Sequence, residues 1–101
     1  MPIDRVVGVQ LRDEAGYLEY RRRIAPLLAS YGAHFVLDVR VSEVVRAPIE
    51  GAQFDRLFIL RFPDAAAWER FFADPGYAQI RAEHYEPSVS ATHRLFAYDV
   101  P

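Results

Sequence analysis

The chain contains no cysteine, no lysine and no asparagine. Without cysteine it can form no disulfide, no thiolate nucleophile and no cysteine-ligated zinc or iron–sulfur site. Without lysine it has neither a Schiff-base amine nor the lysine of a phosphate-binding loop. These absences remove several common forms of covalent and cofactor chemistry, and we expect no cofactor.

The charge balance argues against binding to nucleic acid. Twelve basic residues, all of them arginine, face 14 acidic residues and give a formal net charge of −2. This composition has no excess of positive charge for a phosphate backbone. No apolar run approaches the ~20 residues of a membrane span, and no signal peptide is visible. We expect a single domain over residues 1–101, located in the cytoplasm, with no membrane or nucleic-acid partner.

The first third of the chain predicts a strand followed by a helix. Residues 5–11 are rich in β-branched side chains, which favour a strand. Asp13 is a candidate helix N-cap, and apolar side chains then recur every three or four residues. Pro26 inside this pattern predicts a kink, and Gly32 predicts the end of the helix. The apolar stripe consists of Tyr17, Tyr20, Ile24, Leu27, Leu28 and Tyr31.

A second strand is predicted from His34 to Ser42, where the hydrophobic period changes to two. A histidine and an aspartate are thereby expected on one face of the same strand. The alternation assigns Phe35, Leu37, Val39 and Val41 to one face, and His34, Val36, Asp38, Arg40 and Ser42 to the other.

The second half of the chain predicts a loop, a strand, two helical segments and a last strand. The strand from Phe54 to Phe62 is apolar on both faces, which indicates that both faces are covered. Asp64 is the expected cap of the next helix, and the Asp-Pro-Gly sequence at 74–76 breaks that helix. The remaining segments are a loop at 47–53, a helix at about 77–85 and a strand at 92–100.

The order β-α-β-β-α-β predicts an α+β, ferredoxin-like sandwich with a four-stranded antiparallel sheet. Two helices can cover only one face of such a sheet. The strand at 54–62 nevertheless carries apolar side chains on both faces. We therefore expect a homodimer in which the open sheet face of one copy packs on that of another.

Four short motifs resemble domain of unknown function 1330, a family of the dimeric α+β barrel superfamily. That resemblance implies two ferredoxin-like sheets packed into a shared barrel. Two positions depart from the family pattern: Ala33 replaces a glycine, and Asp38 stands where relatives have an arginine. If that arginine contacts a ligand in relatives, this chain binds a different ligand or none. The motifs are Tyr31 to Phe35, Ile49 to Gly51, Arg61 to Asp64 and Phe71 to Tyr77.

Histidines and a carboxylate supply the candidate catalytic groups. His34 and Asp38 on one strand face would allow the carboxylate to orient an imidazole for acid–base chemistry. They are four residues apart, about 13 Å along a strand, so a pair that merely lies at the rim is the alternative. His84 continues a helical stripe and faces either a pocket or solvent. The three histidines lack metal-ligand spacing, and we expect no metal site.

Four other residues are candidate ligand-binding groups. Arg61 ends an apolar strand, where a guanidinium either pairs with an internal carboxylate or binds an anionic ligand. Trp68, Phe72 and Tyr77 are either core residues or the wall of an apolar pocket.

Three functions remain open from the sequence. The first is a small-molecule-binding domain for an apolar or aromatic metabolite. The second is a cofactor-independent enzyme of the monooxygenase or isomerase type, acting on an aromatic or lactone-like compound, as in the broader superfamily. The third is a dimerisation module without a ligand. A closed concavity that contains two or more polar groups without protein partners would favour the first two.

Overall fold

The computed structural model describes all 101 residues and contains one four-stranded antiparallel sheet in the order β2-β3-β1-β4. The predicted α+β, ferredoxin-like architecture is confirmed. Each predicted element is present, with ends shifted by up to three residues. The elements are β1 (Ile3–Leu11), α1 (Glu14–Ser30), β2 (His34–Arg40), β3 (Arg56–Phe62), α2 (Ala65–Ala73), α3 (Pro75–Ile80), a π-helical turn (Arg81–Tyr85) and β4 (Val89–Asp99).

Aspartates begin all three α-helices. Asp13 accepts a hydrogen bond from Gly16 N at 3.1 Å, and Asp64 accepts one from Ala67 N at 2.8 Å. Each carboxylate satisfies a backbone donor that the first helical turn leaves free. Asp74 ends α2 and caps α3, because it accepts from Gly76 N at 2.7 Å. Helix α1 continues through Pro26 to Ser30.

The main core lies between the helices and one face of the sheet. Val9 and Phe62 on the strands are completely buried, and Phe71 of α2 is 1 % exposed. This packing explains why the odd positions of β1 and the even positions of β3 are apolar along most of their length. Tyr17, Ile24 and Leu28 are buried from α1.

The opposite sheet face, which we call the open face, is also apolar. It includes the side chains of Val6, Leu57 and Ile59 on the two central strands, which are partly buried. The flanking strands add side chains that are 37–55 % exposed. Apolar residues on both faces of β3 are thus confirmed, but a single copy of the chain leaves this face uncovered. The exposed members are Leu37, Val39, Phe96 and Tyr98.

A β-bulge in β2 contradicts the predicted faces of that strand. Pairing with β3 passes from Phe35–Leu60 directly to Leu37–Ile59, so Val36 is an extra residue. An extra residue inverts the alternation of all side chains that follow it. Leu37 and Val39 therefore lie on the open face rather than with Phe35. The helix-covered face instead receives Asp38 and Arg40.

None of the helices has the length and apolar content that a membrane crossing requires.

Candidate functional site

A cleft of about 50 Å³ lies between the helix-covered face of the sheet and helices α1, α2 and α3. Its walls are mainly aromatic because the helical stripes and the strands direct their large side chains toward the same space. The rings of Tyr20 and Tyr85 are 4.8 Å apart, and those of Phe72 and Tyr77 are 5.3 Å apart. The aromatic lining comprises Tyr17, Tyr20, Phe35, Phe58, Phe71, Phe72, Tyr77 and Tyr85.

An ion-pair network around Asp38 lies beside one end of the cleft, which its member Arg21 lines. Arg56 donates two hydrogen bonds of 2.8 Å to this carboxylate, and Arg21 donates one of 3.1 Å. Hydrogen bonds from Arg56 and the nearby Arg21 charge hold the pKa of Asp38 below its usual value. Arg21 also donates to the Tyr17 hydroxyl at 3.1 Å and stacks 3.5 Å above the Phe35 ring. Both guanidinium groups are therefore engaged by partners within the protein.

The other end, beside β4, contains arginines with fewer partners. Arg5 of β1 has no carboxylate partner and lies 5.0 Å from the Trp68 ring and 4.7 Å from the Phe72 ring. Arg94 of β4 is exposed at the mouth of the cleft and pairs with no carboxylate. Burial, and to a smaller extent repulsion from Arg94, lower the pKa of Arg5.

The π-helical turn adds a third arginine to this end. Its wide turn is closed by a bond from Glu86 N to Arg81 O at 3.0 Å, and it carries Arg81 and Tyr85 into the cleft. Arg81 Nε is buried and makes no hydrogen bond. Glu86 Oε1 is 3.0 Å from this nitrogen, but the contact is an ion pair without hydrogen-bond alignment. π-helical turns frequently occur at functional sites.

Three tyrosines of the cleft are proton donors rather than bases. Burial raises the pKa of Tyr17, Tyr20 and Tyr85, so their phenols stay protonated at neutral pH. The Tyr85 hydroxyl is hydrogen-bonded to the Thr92 hydroxyl at the mouth. The cleft is lined by no histidine, and Asp38, the carboxylate beside it, is held by two arginines.

The candidate ligand-binding residues lie in three different places. Phe72 and Tyr77 line the cleft. Trp68 lies at its edge against Arg5 and faces a shallow groove next to the ends of β1 and β4. Arg61 lies on the open face and donates hydrogen bonds of 2.7 and 2.9 Å to Asp4, so the internal-carboxylate interpretation is confirmed.

The candidate catalytic residues are not brought together. His34 is opposite Arg61 on the open face, whereas Asp38 is opposite Phe58 on the helix-covered face. The bulge at Val36 places the sheet between them, so the predicted His34–Asp38 pair is wrong. His84 lies outside the cleft lining, partly exposed, with its Nε2 3.8 Å from Glu83. None of these groups provides an acid–base pair inside the cleft.

The sequence reasoning missed the three arginines beside β4. Arg5 was open to detection, because its odd position in β1 places it on the same face as Val7 and Val9. The position of Arg94 on the helix-covered face depends on a second bulge, because the pairing of β4 with β1 shifts between Val6 and Val7. The position of Arg81 in the cleft depends on the π-helical turn, for which the sequence gives no recognised signal.

The Asp4–Arg61 pair predicts a specific pH dependence of stability. Its hydrogen bonds hold the pKa of Asp4 below the ordinary value of 3.8. The folded state therefore binds fewer protons than the unfolded state near that pH, and the contribution to stability is complete above pH ~4 and lost as the pH falls through the folded-state pKa. We expect Asp4→Asn to lower the free energy of unfolding at neutral pH, measured by urea unfolding.

This difference from the wild type should disappear once the pH falls below the folded-state pKa of Asp4, because Asp4 is then itself protonated. Asp99→Asn, at an exposed position of β4, is the matched control and should show little difference at any pH. A difference for Asp4→Asn that stayed constant over the whole pH range would contradict the assigned ion pair.

The geometry defines a ferredoxin-like α+β domain with one aromatic, arginine-containing cleft and one apolar open face. Over residues 5–93 the chain matches the family described as a domain of unknown function (DUF1330), and it belongs to that family. A comparison with curated protein sequences finds no match.

Solved structures show the same fold. A protein of unknown function from Rhodopseudomonas palustris is similar with a TM-score of 0.81 and 23 % identity, over 99 % of this chain and 82 % of that one. SnoaB, a cofactor-independent oxygenase from Streptomyces nogalater, is similar with a TM-score of 0.67 and 16 % identity, over 99 % and 93 %. A dimeric protein of unknown function from Bacteroides fragilis has a TM-score of 0.61 and 10 % identity, over 98 % and 96 %.

Proposed function

We propose that this protein is a homodimeric binding domain for a small apolar or aromatic metabolite, which it holds in the cleft between sheet and helices. The observation that carries the proposal is the combination of aromatic walls with unpartnered polar groups. Arg5 and Arg94 have no carboxylate partner, and the buried Arg81 Nε makes an ion pair with Glu86 at 3.0 Å but no aligned hydrogen bond. Buried polar groups in proteins are nearly always hydrogen-bonded, so exceptions in a concavity favour a ligand over a purely structural core.

The homodimer is proposed on the open face. All four strands contribute apolar side chains to it, and an exposed apolar surface of this kind usually marks an interaction site. The similar Bacteroides fragilis protein is described as dimeric, which supports a second copy of the chain as the occupant. A location in the cytoplasm stays a prediction.

A cofactor-independent enzyme is the second candidate, favoured by the similarity to the oxygenase SnoaB. In this cleft, acid–base chemistry would involve the tyrosines and arginines, since no imidazole lines it. Protonated phenols of Tyr20 and Tyr85 would donate hydrogen bonds to a substrate oxygen. The unpaired arginines would stabilise negative charge that develops there. His34 and His84 lie outside the cleft and take no part in this form of the proposal.

Blocking the mouth of the cleft tests the proposal. We expect saturation-transfer NMR with a set of small aromatic acids, phenols and amides to detect binding to the wild type. Thr92→Phe places a ring at the mouth and should abolish most of the signal. Ser90→Phe, an equally exposed hydroxyl position on β4 outside the cleft lining, should retain it.

Thermal unfolding followed by circular dichroism would check that both variants fold. No detectable binding to the wild type, or equal binding to wild type and Thr92→Phe, would overturn the binding proposal and leave a dimerisation module.

A further inference from the structure

The two ends of the cleft differ in their uncompensated charge. At the α1 end, Asp38 carries a negative charge between Arg21 and Arg56, and all three groups are hydrogen-bonded. At the β4 end, Arg5 and Arg94 face the cleft without a carboxylate. The positive potential available to a ligand is therefore concentrated at the β4 end.

Arg5 is held in an unusual environment for a guanidinium that lacks an anion. Buried arginines are generally paired, because removing their charge from water is unfavourable. Arg5 is half-buried, and its partners are the faces of Trp68 and Phe72. Such cation–π contacts contribute only about 0.5–2 kcal/mol, and the N–H groups of Arg5 donate no hydrogen bond to another side chain of the protein.

Arg81 and Arg94 present donors to the same end. Arg81 Nε is buried and lies 3.0 Å from Glu86 Oε1 in an ion pair without hydrogen-bond alignment, and its guanidinium lies 5.3 Å from the centre of the Tyr85 ring. The nearest carboxylate to Arg81 is Glu86, whose side chain is 60 % exposed. Arg94 lies on the strand beside Arg5, displaced by two residues in the register, so the two side chains approach the same volume.

We propose that the ligand is a small organic carboxylate whose anionic group binds between Arg5, Arg81 and Arg94, with its apolar part against the rings of Phe72 and Tyr85. This inference rests on the proposed function of the cleft. The planar fork of arginine donors matches a carboxylate, and the paired Asp38 network leaves no equivalent site at the other end. The ligand is thus a monoanion with one orientation.

The size of the cleft limits the ligand further. A cavity of about 150 Å³ holds a benzene molecule, whereas the enclosed part of this cleft is only about 50 Å³. A ring attached to the carboxylate therefore extends toward the open mouth at β4. Aliphatic acids with the same carboxylate group can be enclosed by the cleft more completely than aromatic acids.

The single tryptophan of the chain makes the proposal testable. Trp68 contacts Arg5, so occupation of the β4 end should change its fluorescence. We expect titration with benzoate and butyrate to give saturable changes. The neutral isosteres benzamide and butyramide should bind at least about tenfold more weakly, because they lack the charge that the arginines recognise.

Variants of the arginines identify the site. Arg5→Gln and Arg94→Gln should each weaken benzoate binding about tenfold and leave benzamide binding nearly unchanged. Arg70→Gln removes an exposed charge from α2, the helix that carries Trp68, and should leave both unchanged. Circular dichroism melting checks the fold of each variant. Arg94 is exposed, so its variant remains informative if Arg5→Gln is unstable.

The outcomes distinguish the two proposals. The carboxylate inference would be overturned if benzoate and benzamide bound equally well, or if Arg70→Gln and Arg94→Gln lost benzoate affinity equally. A second possible result is that some fragments bind the wild type but not Thr92→Phe, while neither benzoate nor butyrate binds. That result would overturn the carboxylate inference and retain the binding function. The absence of any fragment binding would overturn both.

Discussion

Phe62→Ala is expected to lower the free energy of unfolding by about 3–5 kcal/mol, the range for removing a buried phenylalanine ring. Phe62 ends β3 and is completely buried. Its ring lies 5.6 Å from Trp68 and 5.7 Å from Phe71, measured between ring centres. The substitution would leave a cavity at the junction of the sheet and α2, since neighbouring rings of this size cannot collapse into it fully.

Urea unfolding followed by far-UV circular dichroism measures this loss. Wild type and variant must be compared at one protein concentration, because the stability of a dimer depends on it. Val45→Ala provides the control: this side chain is 89 % exposed, and its truncation should change stability by less than about 0.5 kcal/mol. A loss below about 1 kcal/mol for Phe62→Ala would contradict the central position of Phe62 in the core.

The second large effect concerns the open face. Ile59 lies in its centre, between Val6 on β1 and Leu37 on β2. In the proposed homodimer, Ile59→Asp would bury a carboxylate without a partner in each copy. Because an unpaired buried charge is strongly unfavourable, the dissociation constant should rise at least about a hundredfold.

Sedimentation velocity at micromolar concentration measures this change. We expect the wild type to sediment as a dimer and Ile59→Asp as a monomer. Leu18→Asp changes an apolar residue of α1 that is also exposed, but it lies away from the sheet and should leave the dimer intact. A wild-type protein that sedimented as a monomer would contradict the homodimer proposal. A variant that stayed dimeric would show that the copies associate through another surface.

The order of elements was predictable because it rests on local patterns. Asp13, Asp64 and Asp74 act as helix caps in the structure, and the apolar stripe of α1 packs on the sheet. The double-sided apolar character of β3 also predicted the open face before any topology was known. These signals depend on neighbours within a few residues, which is the range that a sequence pattern describes.

The candidate site was less predictable because it depends on register. One extra residue in β2, Val36, moves Asp38 away from the face of His34 and places it beside Arg21. An equivalent shift in β4 places Arg94 on the cleft side and Phe96 on the open face. Bulges of this kind are set by pairing between distant strands, so alternation within a single strand could not reveal them.

The position of Asp38 has a consequence for specificity. Relatives that carry an arginine at this place, as the resemblance implies, would add a positive charge to a region where this chain has a carboxylate. In this chain, that carboxylate forms ion pairs with Arg21 and Arg56. The arginines without a carboxylate partner, Arg5 and Arg94, are at the β4 end of the cleft, which is why we expect a monoanionic ligand in one orientation.

The most direct test of the central claim, that the cleft binds a small organic carboxylate at its β4 end, is a ¹⁵N–¹H NMR titration of the labelled wild-type protein with benzoate. We expect the perturbed amides to cluster in β1, β4, α3 and the π-helical turn, with Arg5, Tyr77, Arg81 and Arg94 among those that shift most. Amides at the α1 end near Asp38 should shift less. Chemical-shift perturbations confined to other surfaces, or no perturbations at the highest benzoate concentration, would contradict the proposed carboxylate site.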